Sequence, residues 1–471
     1  MTSRITCVVP APVEVHPSTD SFRITEATRV RITDDTATVG HYLAETLGLT
    51  TGSTGEITLS RQSTAPADGY QLTVTNTAIT LRANTETGLF MAVQTLRQLV
   101  SDEGIVDGGE ILDYPRFAHR GAMLDVSRHF FTVDEVKRFI DQIVQYKINV
   151  LHLHLTDDQG WRLEITNWPK LTTIGGATQV GGGPGGFYTQ QEFRELVAYA
   201  TSRHITLIPE IDIPGHVNAA LVAYPELTCD GVAPPLFTTT GTATGFSSLC
   251  TDKEITYQFI DDVLREVAAL TPGPYLHIGT DEAHATPEEG YAKFIRRALD
   301  MVQRYGKQAI GWHEILRADP PTGTIPQFWS KADDDPRVAE AAARGHKILL
   351  SPANKVYLDM KYTPDSPIGY KWAGYLDVRD VYDWDPGTYL QGVPEEAVIG
   401  IEAPLWAEHL KHRGHIDFMA FPRLPAVAEL GWSPRETHDW QDFRRRLATH
   451  GPRWTAQGIE FYPSTQIPWA V

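Results

Sequence analysis

The chain has 471 residues, 42% of them hydrophobic and 21% charged, which is enough to bury a sizeable core and excludes a disordered, collagen-like or coiled-coil polypeptide. Its formal net charge of −18 sets up a surface field that repels phosphate backbones and anionic lipid headgroups, which argues against nucleic-acid and membrane partners. Three cysteines rule out a disulfide scaffold or a cysteine-rich metal site, although Cys229 and Cys250 could close one surface loop and leave Cys7 free.

Residues 1–115 read as a small α+β domain. Apolar and polar residues alternate over 70–74 and 78–81, the period of half-buried strands. Leu89, Ala92, Val93, Leu96 and Leu99 then fall on one face of a helix over 88–99. The Asp/Gly-rich stretch 101–109 reads as a turn leading into a linker at 113–116. No apolar run reaches membrane-spanning length, and the first residues lack the apolar stretch of a signal peptide. That predicts a cytoplasmic chain by default, or a secreted one if a leader has been trimmed; a Cys229–Cys250 bridge would favour an oxidising space.

Over 116–471 the pattern changes to short buried runs alternating with amphipathic segments. Strands are predicted at 122–126, 149–155, 205–211, 275–278, 308–312, 326–329, 347–350 and 398–401. About eight parallel strands close a barrel, so the fold class is α/β: a (β/α)8 TIM barrel preceded by the smaller α+β domain. Helix starts are marked by Thr132 with Glu135, Thr189 with Glu192, Thr251 with Glu254, and Thr286 with Glu289, the last with Pro287 at the first helical position. The Gly-rich run 181–186 lacks the Gly-Lys-Ser/Thr ending of a phosphate loop and reads as a mobile surface loop.

Side chains just past the strand ends of such a barrel converge on one mouth. Here these are Asp125 and Arg128; Asp157, Asp158 and Trp161; Glu210, Asp212 and His216; Asp281 and Glu282; Trp312 and Glu314; Trp329; Tyr357 and Asp359; Trp406 and Glu408. Carboxylates accept hydroxyl hydrogen bonds and aromatic faces cover the C–H faces of a pyranose, so this set speaks for sugar binding. Adjacent strand residues point to opposite faces, so Asp281 and Glu282 can serve one ligand only where the strand breaks into its loop. Two crowded carboxylates resist ionising together, which raises one pKa and keeps a proton donor near neutral pH for a departing sugar oxygen. A helix-capping role for either residue is the plainer alternative, and no second catalytic carboxylate stands on a matching strand.

The segments 113–121, 124–130, 152–162, 214–216 and 277–282 resemble, in order, the motifs of glycoside hydrolase family 20, the exo-β-N-acetylhexosaminidases. The resemblance covers most of the chain and implies a retaining, substrate-assisted mechanism with no metal or other cofactor, acting on a carbohydrate with a terminal β-linked N-acetylhexosamine. On that resemblance Glu282 is the general acid and then base, Asp281 orients the 2-acetamido group, and Tyr357 hydrogen-bonds its carbonyl oxygen. Trp312, Trp329 and Trp406 resemble the aromatic wall, Arg128, Asp359 and Glu408 the ligands of the 3-, 4- and 6-hydroxyls, and Asp157 and His216 the groups that position Glu282. Two departures stand out: Thr280 where the family has a second Gly, whose Cβ restricts positive φ, and Leu153 where it has an aromatic. Rival readings are a metal-dependent amidohydrolase-like barrel using His152, His154, Asp157 and His277, and a sugar-binding protein without turnover.

Overall fold

The computed structural model describes residues 3–240 and 244–469. Strands Glu14–Arg23, Arg29–Arg31, Thr50–Gly52, Ile57–Ser60, Tyr70–Val74, Ile79–Ala83 and Ile105–Asp113 form one seven-stranded mixed sheet. Helices Ala37–Leu47 and Glu86–Leu99 pack on it, and the second is opened by the Thr85 hydroxyl accepting from Gly88 N–H. The expected turn over 101–109 ends at Gly104, and Ile105–Asp113 is an inner strand between Glu14–Arg23 and Tyr70–Val74. Its glycines imitate a turn in sequence but serve a close approach: a Cβ on Gly109 would lie 2.5 Å from the His16 carbonyl oxygen.

Eight parallel strands close the barrel: β1 His119–Asp125, β2 Val150–His154, β3 Thr206–Glu210, β4 Tyr275–His277, β5 Gln308–Trp312, β6 Ile325–Phe328, β7 Ile348–Leu350 and β8 Val398–Leu405. Each overlaps a predicted run, because strands covered on both faces read as continuous apolar segments, although β1 begins three residues earlier than predicted and β8 runs four residues further. Val150, Ile208, Ile310, Ile325 and Leu349 form an apolar layer inside the barrel. Two residues further along β2 and β3, and nearer the mouth, stand His152 and Glu210, with His154 two residues beyond His152, so the interior turns from hydrocarbon to charge.

Helices Val133–Val144 and Gln190–Thr201 begin with the predicted capping boxes. Glu254–Leu270 and Glu288–Arg304 do not: Lys253 and Pro287 occupy their N-cap positions without a side-chain bond. The Thr286 hydroxyl pairs instead with that of Ser248, while Thr251 stands two residues ahead of the N-cap its helix uses, and its carbonyl accepts the Tyr257 hydroxyl. The run 181–186 is more fixed than its composition suggests, since Gly181 N–H donates to Thr238 O and a Cβ on Gly186 would lie 2.2 Å from the Phe130 ring. Cys229 and Cys250 are bonded, and Cys7 is free. The sheet domain is locked to the barrel by Lys147, whose Nζ donates to Asp113 Oδ2 at 2.7 Å and Tyr70 OH at 3.0 Å, while Trp432 Nε1 donates to Asp113 Oδ1 at 2.8 Å.

Candidate active site

A cavity at the barrel mouth is lined by Arg128, His216, Thr244, Asp281, Glu282, Trp329, Tyr357, Asp359, Tyr370, Trp372, Trp406 and Glu408. Of the residues to which the family resemblance gave a role, all are on its wall except Asp157 and Trp312, which stand one layer beneath; of the other strand-end residues, Asp125, Asp158, Trp161, Glu210, Asp212 and Glu314 do not line it. Trp312 is the last residue of β5; its Nε1 donates to Glu210 Oε1 at 3.0 Å, and its ring lies 5.8 Å from that of Trp406, which it supports from below. Trp329 is held by Nε1 donating to both Glu314 carboxylate oxygens at 3.2 and 3.0 Å.

Asp157 is the buried hub of the acid side. It meets Arg128 at 2.7 Å, His154 Nε2 at 2.7 Å and His216 Nδ1 at 3.2 Å. Burial alone would raise its pKa, but Arg128, His216 and His154 overcome that and hold it well below the usual carboxylate range. Arg128 is gripped by Asp125 at 3.1 Å and by Gln159 at 3.2 Å, and it lies 5.0 Å over the Trp406 ring. A guanidinium with this many fixed partners is a rigid donor at one end of the cavity.

His216 joins the two halves of the site. Its Nε2 is 3.7 Å from Asp281 Oδ2 and 3.6 Å from Glu282 Oε2. Burial works against its charged form, but Asp157, Asp281 and Asp212 raise its pKa well above the ordinary histidine value, so it stands as a cation between carboxylates. Asp281 is pushed up to about 7, chiefly by burial, against the pull of His216 and with Glu282 adding repulsion. Glu282 is lowered: burial opposes this, but the nearby His216 imidazole, with the Thr244 hydroxyl, prevails. The two titrations are separated chiefly by burial of Asp281 and by His216 beside Glu282, with crowding a lesser contribution, and in the free protein the raised group is Asp281 rather than Glu282.

The backbone that presents this pair is left-handed at Gly279 (φ 63), Thr280 (φ 90) and Glu282 (φ 43). Non-glycine residues in this region cost on the order of 1–3 kcal/mol each, so neighbours must hold the turn. Thr280 N–H donates to Asp212 Oδ1 at 3.1 Å, its hydroxyl donates to Trp312 O at 3.2 Å, and Tyr291 OH donates to its carbonyl at 2.9 Å. Gly279 is required outright, since a Cβ there would sit 1.8 Å from Asp212 Oδ1. Leu153, the other departure, is a fully buried packing residue.

Among the described residues, Asp281 Oδ1, Asp359 Oδ1, Glu408 Oε2 and His216 Nε2 are buried without a hydrogen-bond partner. All four belong to side chains that line the one cavity, so unused acceptors and a donor converge on a ligand position walled by indole rings. Asp359 and Glu408 are both raised, first by burial; for Asp359, Glu408 adds repulsion, while Arg128 pulls Glu408 down. Tyr357, buried between Asp359 and Asp281, is held well above the usual phenol range and remains a hydroxyl donor.

His152, Glu210 and His277 approach one another closely enough to share a metal ion. They are engaged with protein groups instead: Glu210 receives His154 Nδ1 at 2.5 Å and Trp312 Nε1 at 3.0 Å, His277 Nδ1 accepts from Gly279 N–H at 3.1 Å, and His152 Nδ1 lies 2.8 Å from Glu402. These histidines are interior groups bonded through Nδ1, with Nε2 of His152 and of His277 left without a hydrogen-bond partner, and none lines the cavity. Sequence reasoning missed Thr244, Tyr370 and Trp372 on the cavity wall. The signal for the last two was present in the aromatic, Gly-flanked run 369–375.

A closed parallel barrel with a carboxylate pair and an indole-lined pocket at its mouth defines a glycoside-processing enzyme of the TIM-barrel class. The catalytic-domain model of glycosyl hydrolase family 20 matches residues 117–290 and 284–435, and the model of that family's domain 2 matches 6–114; the chain belongs to this family. It is 41% identical over 483 residues to a beta-N-acetylhexosaminidase of Cellulomonas fimi, covering 98% of this chain and 97% of that protein. It superposes with a TM-score of 0.96 and 51% identity on Streptomyces plicatus N-acetyl-beta-hexosaminidase in complex with Thio-NAglucal, covering 99% of this chain and 98% of that one. The Vibrio harveyi exo beta-N-acetylglucosaminidase in complex with N-acetylglucosamine gives a TM-score of 0.88 at 33% identity, over 98% of this chain and 79% of that one.

Proposed function

We infer that this chain is an exo-acting β-N-acetylhexosaminidase, removing terminal non-reducing β-linked N-acetylglucosamine or N-acetylgalactosamine with retention, by participation of the substrate's own 2-acetamido group. The observation that carries this is that Asp281 and Glu282 reach the same His216 imidazole, so neighbouring carboxyl groups act at one sugar from one side. Asp281, with its free Oδ1, accepts the acetamido N–H and stabilises positive charge as the acetamido oxygen attacks the anomeric carbon. Tyr357 donates to that oxygen and fixes its direction of attack. Glu282 gives a proton to the departing oxygen, and its carboxylate then takes one from the water that opens the oxazolinium ring. Because the nucleophile is part of the substrate, proximity replaces a second protein carboxylate.

Arg128, Asp359 and Glu408 receive the ring hydroxyls, Trp329 and Trp406 cover the acetamido methyl and the ring, and Trp312, Asp157 and His216 position the groups that touch substrate. The Cys229–Cys250 bond supports work in an oxidising compartment over the cytoplasm. The test is release of 4-nitrophenol from its N-acetyl-β-glucosaminide, compared with the plain β-glucoside and repeated with chelator. Turnover of the acetamido sugar alone, unaffected by chelator, is expected. Equal turnover of the plain glucoside refutes substrate assistance, loss with chelator revives a metal mechanism, and binding without release makes the chain a lectin.

A further inference from the structure

Among the described residues, every exposed large apolar side chain sits on a loop that leaves the C-terminal end of a barrel strand. Val232, Leu236 and Phe246, at 64%, 47% and 42% exposure, follow β3. Trp372 and Tyr375 follow β7, and Ile174 and Phe187 follow β2. The sequence runs 171–188, 228–250 and 368–376 contain only Asp230 and Lys371 as charged residues, in a chain that is 21% charged. Concentration of exposed hydrocarbon on one face of a soluble protein marks a binding surface.

The segment after β3 borders the cavity at two points. Thr239 O accepts from Gln159 Nε2 at 3.3 Å, and Gln159 holds Arg128; at the other side Ala285 N–H donates to Gly245 O at 2.9 Å. A Cβ on Gly245 would lie 2.2 Å from Glu282 O, so Thr244, Gly245 and Phe246 pass directly beside the acid. A group leaving on an oxygen protonated by Glu282 must depart past these residues. Phe246 also packs on Phe237 with centroids 4.7 Å apart, and the Cys229–Cys250 bond ties the segment's ends together.

We propose that this rim is a subsite for an apolar aglycone, an alkyl or aryl group carried on the glycosidic oxygen, with Leu236 and Phe246 as its principal contacts. The inference rests on the hexosaminidase reading and extends it to the class of leaving group. Val232, Leu236 and Phe246 offer no hydrogen bonds, whereas a further sugar needs polar partners beside each stacking ring.

The experiment compares kcat/KM for methyl and octyl N-acetyl-β-glucosaminide, below micelle-forming concentration, and for diacetylchitobiose, in the unaltered chain and in a Leu236→Ser/Phe246→Ser variant. Two buried methylenes already give about a tenfold gain, so the octyl glycoside should exceed the methyl by at least about tenfold. The variant should reduce that ratio to about threefold or less and leave the methyl rate unchanged. The proposal is overturned by octyl and methyl rates that match, by diacetylchitobiose outperforming octyl, or by a ratio the variant leaves intact. Absence of turnover on the methyl glycoside would overturn the hexosaminidase reading itself, and this inference with it.

Discussion

Replacing His216 by Gln isolates what its charge does. The imidazolium lies 3.6 Å from Glu282 and 3.7 Å from Asp281. At such distances a unit charge is worth about 4 kcal/mol in the effective medium of a protein site, or about three pKa units, and relaxation of neighbouring groups should leave at least about one unit of that. The reaction needs one proton on the carboxyl pair, to be delivered by Glu282, and one negative charge, to be held by Asp281. In the free protein the pair therefore works between the lowered titration of Glu282 and the Asp281 titration near 7. Plotted against pH, kcat/KM should be a bell that falls above about pH 7, as the last proton leaves the pair, and falls again in the acid range, as Asp281 and Glu282 both become neutral.

Removing the cation favours protonation of both carboxyls, so His216→Gln should move both limbs upward by at least about one unit. Gln keeps a donor toward Asp157, so the fold should persist, as a thermal melt would check. The assay is the pH dependence of kcat/KM on a 4-nitrophenyl N-acetylhexosaminide, corrected for nitrophenolate ionisation. An alkaline limb that stays in place, or shifts downward, refutes the claim that His216 carries the charge that sets these titrations.

Glu282→Gln should lose roughly 10² to 10⁴ in kcat on an alkyl glycoside and much less on a dinitrophenyl one, whose oxygen leaves unprotonated; equal losses on both would show that Glu282 is not chiefly a leaving-group acid. Asp113→Asn strands the buried Lys147 ammonium between the domains and should lower unfolding stability by about 3–5 kcal/mol, measured by denaturant titration, while an Asp113→Asn/Lys147→Met pair recovers part of it. His450 is buried and its pKa is depressed from 6.5 to about 3, mainly by burial with Arg453 and Arg446 adding repulsion. Its stabilising effect is therefore complete above about pH 6.5 and is lost as pH falls toward 3, and His450→Gln should flatten the melting-temperature profile in that window.

The barrel was legible because buried parallel strands are written as apolar runs, and the site because its residues sit at the ends of those runs. What stayed illegible depends on partners distant in sequence. Arg29–Arg31 and Thr50–Gly52 are too short to show a period. The glycines of Ile105–Asp113 are explained only by the His16 backbone beside them. Thr286 carries a capping signal that Ser248, 38 residues away, has taken over. Trp312 occupies a strand end like Trp329, and the Glu210 carboxylate, from another strand, decides that its indole points below the cavity. Which of Asp281 and Glu282 holds the proton could not be read from an adjacent pair, because it depends on burial and on an imidazole from the loop after β3.

That dependence explains why so much charge lies inside the barrel. A chain of close contacts runs from Glu402 through His152 (2.8 Å) to Glu210 (3.0 Å), then through His154 (2.5 Å) to Asp157 (2.7 Å), His216 (3.2 Å) and Glu282 (3.6 Å). An apolar core of equal volume would be at least as stable, since desolvating these ions offsets most of their attraction. Hydrocarbon packing, however, does not fix the direction of a carboxylate or the tautomer of an imidazole, whereas alternating acid and base groups do. The same logic applies to the left-handed turn at 279–282, whose strain persists only because Asp212, Trp312 and Tyr291 each hold Thr280. Both features exchange stability for orientation at Asp281 and Glu282, where the reaction needs it: with the nucleophile on the substrate, the protein's task is to hold one proton and one charge in fixed places beside it.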